Sequence, residues 1–397
     1  MKRRFWYLSL AVLLLLGSTF LLAQGKGEPT AKPEKVQGIA KERKPASYYA
    51  EQSKLWQEVI AEDPQDAEAW RYYYAAERAK LQLEQPDLWA NDTPTFYQTL
   101  DPILQRASKQ IKNSFEYPYL QGMNTSGEAA IAFFEEAYSR DPDRPEVHDW
   151  LFSYYVPRFM EKECKDLATR LLGSNLFSDA SMKWNYNALV STEPNSIIIS
   201  NGDMDGIPKW VLQYGAQVRS DVIVANKWLL ADLDSYRERI YQQIGLSRPA
   251  KSRSDFPTLG AYADYLAVDV MRRSKRSTYI SSGTNYKFFE DNQLSDKVFV
   301  VGNVLKYSAQ PFDNVAVLEE NIQENYYLEH ILKSFQHHHE DEMVQTSMHL
   351  TYLPGLFLLQ EEYQKRNDAK QLAYINRLID QILEDSGRRE EVIKWFE

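Results

Sequence analysis

Three isoleucines in a row, Ile197-Ile198-Ile199, end at the turn residues Asn201-Gly202. A strand sends successive side chains to opposite faces, so an unbroken β-branched run needs apolar cover on both. That condition is met inside a parallel sheet with helices on each side, and the following sequence supplies the parts. A helix is predicted from about Ile207 to Ala216, a second strand over Asp221 to Ala225, and a second helix from Leu233 to Ile244. The stretch "FPTLGAYADYLAVDVMRR" reads as a third helix, with further strands over Thr278 to Ile280 and Val298 to Val301. Short apolar strands alternating with helices predict a small, mostly parallel, doubly covered sheet over residues 193–310.

On either side the periodicity is helical. Trp56 and Val59 precede Asp63-Pro64, and Trp70, Tyr73 and Tyr74 follow it at i, i+3, i+4. The unit recurs: Ala130, Phe134 and Ala137 precede Asp141-Pro142, with Leu151 and Tyr155 after it. Tyr186, Leu189 and Pro194 mark a third such end. These spacings resemble the tetratricopeptide repeat, in which small, aromatic, small and Pro positions build a packed helix hairpin. Ala130, Phe134, Ala137 and Pro142 fit all of that pattern, and Trp56, Pro64 and Trp70 most of it. Tyr74 and Phe152 stand where the family has Gly or Ala, so the repeats are degenerate. A further helix pair, hinged at Arg366-Asn367-Asp368 and stopped at Gly387, lies near the C-terminus. The expected fold is α/β plus α: degenerate repeat-like hairpins over residues 46–192 and a helical region over 311–397, around the sheet.

The 397 residues carry a formal charge of −10, which argues against non-specific nucleic-acid binding. Lys2, Arg3 and Arg4 precede a 19-residue apolar stretch, Phe5 to Ala23. Residues 1–23 read as a signal peptide cut before Gln24, or else as an N-terminal anchor. Either way the chain is expected in the periplasm or cell envelope, touching a membrane only through that segment if it is uncleaved. Residues 24–45, rich in Lys, Pro and Gly, read as a disordered linker. Cys164 is the only cysteine, so no internal disulfide forms and the residue reads as a small buried hydrophobe.

Asp203 and Asp205 are the candidate site. They follow a strand directly, where open α/β sheets bind ligands beside a helix N-terminus. Two carboxylates two residues apart could hold a divalent cation, Ca²⁺ or Mg²⁺, or accept the hydroxyls of a sugar. The structural alternative is that Asn201-Gly202 makes the turn and Asp205 caps the next helix, which leaves Asn201 and Asp203 unexplained. Five of the six histidines lie between His330 and His349. The pairs His337–Asp341 and His338–Glu342 have i,i+4 spacing suited to Zn²⁺, or to an exposed, acid-balanced helix end. No nucleophile elbow, zinc-protease, P-loop or dinucleotide fingerprint is present, so no reaction is implied.

A second resemblance covers about Asn187 to Ser308. Asn201, Gly202, Asp203, Asp205, Pro208 and Trp210, then Arg219, Asp221, Val222 and Asn226, are similar to a segment of a bacterial membrane-protein family of unknown function. That family is sometimes described as protein O-mannosyltransferase-like. Gly302 and Tyr307 continue the likeness, while Gly206 stands where the family has Thr. The resemblance implies the soluble part of such a protein, without the many-pass half or its transfer chemistry. It adds Asn201, Gly202 and Asn226 to the candidate ligand-binding residues. The expected role is an exported interaction protein that binds an envelope protein or peptide. The alternative is an accessory or sugar-binding module linked to envelope glycosylation.

Overall fold

In a computed structural model, residues 32–39, 43–332 and 342–396 are described. The predicted signal segment and the His337–His339 run lie outside them. The chain divides into two compact units, with the cut between Tyr154 and Tyr155.

The first unit is helical: α1 (Ala46–Glu62), α2 (Ala67–Glu84), α3 (Pro86–Asn91), α4 (Thr93–Ala107), α5 (Glu116–Met123), α6 (Gly127–Arg140) and α7 (Pro145–Tyr155). α1 and α2 pack as a hairpin around Asp63-Pro64, and Asp66 caps α2 by accepting from Ala69 N at 2.9 Å. Trp56 stacks on Tyr72, and Trp70 donates its indole N–H to the Pro64 carbonyl at 2.9 Å. Ala130, Phe134 and Ala137 are buried on α6, and Trp150 of α7 stacks on Phe134. On α5, Gly122 lies against the Phe134 ring so closely that a Cβ there would stand 2.6 Å from it. The α1/α2 hairpin is present and the Trp70 and Phe134 rings are buried, whereas the repeat identity rests on the spacing alone. Residues 32–39, inside the stretch read as a linker, lie along α1: Val36 is buried and Trp56 Nε1 donates to Glu34 O at 2.8 Å.

The second unit opens with α8 (Glu161–Gly173) and α9 (Asp179–Val190). The sequence groups these with the repeats, but both pack on α10 (Asp203–Ala216) beside the sheet. Gly215 permits the approach, since a Cβ there would meet the Ala168 backbone at 3.1 Å. The sheet has five strands, β1 (Ile197–Ser200), β2 (Ile223–Asn226), β3 (Thr278–Ser281), β4 (Val298–Val300) and β5 (Val304–Tyr307), in the order β2-β1-β3-β5-β4. The first three are parallel, while β5 runs antiparallel to β3 and β4. The sheet is therefore mixed. The fifth strand was not predicted because "VFVVGNVLKY" reads as one apolar run, and a tight turn at Gly302-Asn303 folds it back on itself. Gly302 has φ +146, and a Cβ there would collide with the Tyr326 hydroxyl.

Ile197, Ile198 and Ile199 are fully buried, as an unbroken run requires. Ile197 and Ile199 join Leu266 and Met271 of α13 (Leu259–Arg273), with Leu230 of α11 (Lys227–Asp232), Ile240 of α12 (Asp234–Gln243) and Phe289 of α14 (Tyr286–Asp291). α10 lies on β2 from the other side, where Trp210 donates to the Val224 carbonyl at 3.2 Å. α15 (Asn314–Glu320), α16 (Glu329–Leu332), α17 (Glu342–Leu350), α18 (Leu353–Arg366), α19 (Ala369–Asp385) and α20 (Arg389–Lys394) complete the unit. The predicted hinge is present, with Asn367 in the left-handed region at φ 54 between α18 and α19. Among the described residues no helix is long and apolar enough to cross a membrane.

Phe134→Ala is expected to destabilise the first unit by about 3–5 kcal/mol, the usual loss for a fully buried aromatic. Denaturant unfolding followed by tryptophan fluorescence measures it, and an unchanged midpoint would mean that the ring is not a core knob.

Candidate functional site

From β1 the chain crosses to β2 on one side, then returns past β1 to β3 on the other. The loops after β1 and β3 therefore part at the carboxyl ends of the strands, which is where open α/β sheets leave a crevice. Asn201 and Gly202 form one lip, and Ser282, Gly283 and Thr284 the other. Asn201 Nδ2 reaches across the gap to the Gly283 carbonyl at 3.3 Å.

The first lip runs straight into α10, which starts at Asp203 rather than near Ile207. Pro208 therefore lies inside the helix, where it has no N–H to give the carbonyl four residues back. That carbonyl, of Met204, accepts instead from Asn185 Nδ2 of α9 at 3.2 Å. Asp205 is thus the third helical residue and not the residue before the helix. Its Oδ2 accepts from Asn201 N at 2.6 Å, which fixes the turn from within the first helical turn. Its Oδ1 accepts from Lys209 Nζ at 2.6 Å.

Lys209 has no exposed surface, and it also donates to Asn185 Oδ1 at 2.8 Å and the Asp205 carbonyl at 2.7 Å. Its ammonium lies over the Trp184 ring at 4.6 Å. Burial pulls this amine below its ordinary range, and Asp205 works against that pull. Asn226 is equally committed. Its Oδ1 caps α11 through Trp228 N and Leu229 N at 2.9 and 3.2 Å, and its Nδ2 donates to Gly202 O at 3.4 Å.

Asp203 differs from all of these. It is exposed at the first position of α10, and no donor or cation among the described residues reaches its carboxylate. The protein around it still raises its carboxyl above the ordinary range through desolvation. In the same turn the Asn201 carbonyl accepts from the indole of Trp228 at 3.1 Å, and the far edge of that ring would lie 3.6 Å from a Cβ on Gly260 in the first turn of α13. The ring is 40% exposed, with the Lys227 ammonium 5.1 Å from its centroid.

The candidate residues therefore lie together at one rim but have different employments. Asn201, Gly202, Asp205 and Asn226 hold the rim through internal bonds, and Asp203 alone is unengaged. With both Asp205 oxygens taken, a cation there would find one free carboxylate. Among the described residues no group of three His, Cys, Asp or Glu side chains is placed to hold a metal. Sequence reasoning missed Lys209, Asn185 and Trp228. Lys209 was legible as a lone charge inside "GIPKWVL", four residues after Asp205. Arg219 and Asp221 belong to the opposite end of the sheet. Arg219 grips Asp221 at 2.9 and 3.0 Å and donates to the Leu189, Thr192 and Glu193 carbonyls at 3.1, 2.7 and 2.9 Å, which lowers the Asp221 carboxyl to about 2.

Residues 181–359 match the family TMEM260-associated domain 2. No curated protein matches the chain. The matched segment begins within α9 and ends within α18, so it takes in the whole sheet, the rim and the helices bonded to it. It is wider than the stretch the sequence pattern suggested, and Asn185 and Lys209 both fall inside it.

Lys209→Met is expected to cost about 3–5 kcal/mol, because it leaves the buried Asp205 carboxylate without its cation. Asp203→Asn should leave stability unchanged or raise it slightly at neutral pH. A carboxyl whose folded-state value is raised costs stability while ionised, and that cost disappears as pH falls below the unfolded value of about 3.9. The gap between Asp203→Asn and wild type should therefore close on acidification, as read by urea midpoints between pH 7 and pH 3.

Proposed function

We propose that this chain is an exported binding protein of the cell envelope. In this reading the degenerate tetratricopeptide-like hairpins dock a protein or peptide partner, and the α/β region holds a hydroxyl-rich ligand, a glycan, at the rim. The observation that carries it is a contrast among the charged and amide groups of the rim: Asn201, Asp205, Asn226 and Lys209 are bonded within the fold, while Asp203 has no partner among the described residues and the partly exposed Trp228 indole is anchored to the same turn. A carboxylate that accepts hydroxyls, next to an aromatic plane that covers the apolar face of a ring, is the usual chemistry for a pyranose. A place beside envelope glycosylation rests on the O-mannosyltransferase-like resemblance of these residues, which lie within the segment matching a TMEM260-associated domain. A divalent cation bridging Asp203 to the ligand is compatible with the same rim.

Binding of the wild type to an array of immobilised mono- and oligosaccharides is expected, with at least a tenfold loss, about 1.4 kcal/mol, in Asp203→Asn and in Trp228→Ala. Equal binding by all three proteins would remove the rim as the site. Ca²⁺ or Mg²⁺ at millimolar levels should raise the melting temperature of the wild type and not of Asp203→Ala if a cation takes part. An equal response would leave the glycan contact without a metal.

Export is expected to produce a periplasmic protein whose N-terminus is Gln24. Intact mass measurement of native protein decides this, and a chain retaining Met1 in the membrane fraction would mean an anchor instead.

A further inference from the structure

The second unit holds a pair of histidines that the rim does not use. His330 of α16 and His349 of α17 are only 6% and 5% exposed. Their ring centroids are 5.1 Å apart, with the planes inclined by 53°. Both nitrogens of His330 and Nε2 of His349 are closed off from solvent and make no hydrogen bond. The Tyr327 carbonyl lies near enough to His330 to favour its charged form, but it does not form a bond of normal geometry. Buried polar atoms without partners cost stability. A site that needed only volume would be filled more favourably by the Leu and Ile that surround it, such as Ile331, Leu350 and Leu353.

Burial also decides the protonation state. Desolvation lowers His349 to about 4 and His330 to about 2, so both imidazoles are neutral at pH 7. Lys183 of α9 adds to this at His330, and it is itself paired with Asp179 at 2.8 Å. A neutral imidazole with an unengaged nitrogen is a ready metal ligand.

We infer that His330 and His349 form an imidazole site for a first-row transition-metal ion. With ring nitrogens about 2.0–2.1 Å from an ion, two rings at this centroid spacing that point to one ion would subtend roughly 110° at it, within the tetrahedral range. Among the described residues no carboxylate, thiolate or third histidine completes a cluster with them. Among the described residues nothing at the pair offsets ionic charge, and the cost of burying an ion rises steeply with that charge. Imidazole suits both copper and zinc, so the monovalent cuprous ion is favoured over Zn²⁺. The remaining coordination positions fall to a small ligand that enters with the ion.

The test uses the full chain, stripped of metal and titrated with Cu⁺ under ascorbate against a chromogenic chelator. One equivalent per chain is expected to bind, more tightly than Zn²⁺, with at least a tenfold loss in His330→Gln and in His349→Gln. Should those variants fail to fold, the variant H337S/H338S/H339S leaves the pair intact and must keep full binding. No uptake by the wild type overturns the site, as does uptake indifferent to H330Q and H349Q. Loss of binding in the triple serine variant assigns the ion to that run and overturns it equally. Tighter binding of Zn²⁺ than Cu⁺ overturns the preference for copper.

Discussion

The rim depends on a buried ammonium. Lys209 sits in the middle of an otherwise apolar helix face, and solvation inside the protein must replace the water it has lost. Asp205, Asn185 and the Trp184 ring supply it, and each supplier gains a fixed position in return. Asp205 is thereby held where its second oxygen receives Asn201 N, and Asn185 where its amide covers the carbonyl freed by Pro208. One charge thus joins α9, α10 and the turn after β1. Buried pairs of this kind add little net stability over an apolar substitute, but they tolerate few alternative arrangements. Here the single arrangement sets the direction in which the strand hands over to the helix.

The same economy explains why Asp203 stands apart. A carboxylate at the first position of a helix is favoured by the helix dipole whether or not it meets a ligand. Position alone would therefore say little. What distinguishes Asp203 is that Asn201 and Asp205 already hold the turn and Asn226 caps α11, while its own carboxylate has no partner among the described residues. Trp228 is anchored by its indole N–H, and its ring is partly exposed with the Lys227 ammonium over it. The crevice at the switch point is thus framed by groups that serve the fold, with the Asp203 carboxylate and the hydroxyls of Ser200 and Thr284 left without partners among the described residues.

The parts of this arrangement that follow from local chemistry were legible in the sequence. An isoleucine triplet implies two-sided burial wherever it occurs, and Asn367 and Gly387 punctuate helices by backbone preference alone. The turn at Gly302 was hidden because Val298 to Leu305 is apolar on both sides of it, and the deciding contact, with Tyr326, is remote in sequence. The helix start at Asp203 was misplaced for a similar reason. Proline ordinarily marks a first turn, and only Asn185, far up the chain, makes it tolerable at Pro208. Within the site, residue types were legible but their employment was not. Asp203 and Asp205 look equivalent on paper, and a lysine four residues on is what separates them.

The helix that supplies Asn185 is also the one that joins the sheet to the C-terminal helices. Asn303, at the β4–β5 turn, donates to the Trp184 carbonyl at 2.6 Å, and Trp184 Nε1 donates to Thr351 Oγ1 at 2.9 Å. Asn187 exchanges hydrogen bonds with the Tyr327 backbone, both at 3.0 Å, and donates to the Tyr352 hydroxyl at 2.9 Å. These amides are buried, so each must be paired within the protein and none can be exchanged for water without loss. α9 is accordingly a shared wall between the rim and the helices carrying His330 and His349. That placement accounts for a family match that starts in α9 and runs into α18: the sheet cannot be cut free of either end without stranding polar groups in its core. A ligand that tightens the Asn201 turn would act first on Asp205 and Lys209. The nearest element able to register that change is the wall on which the histidine pair is also built.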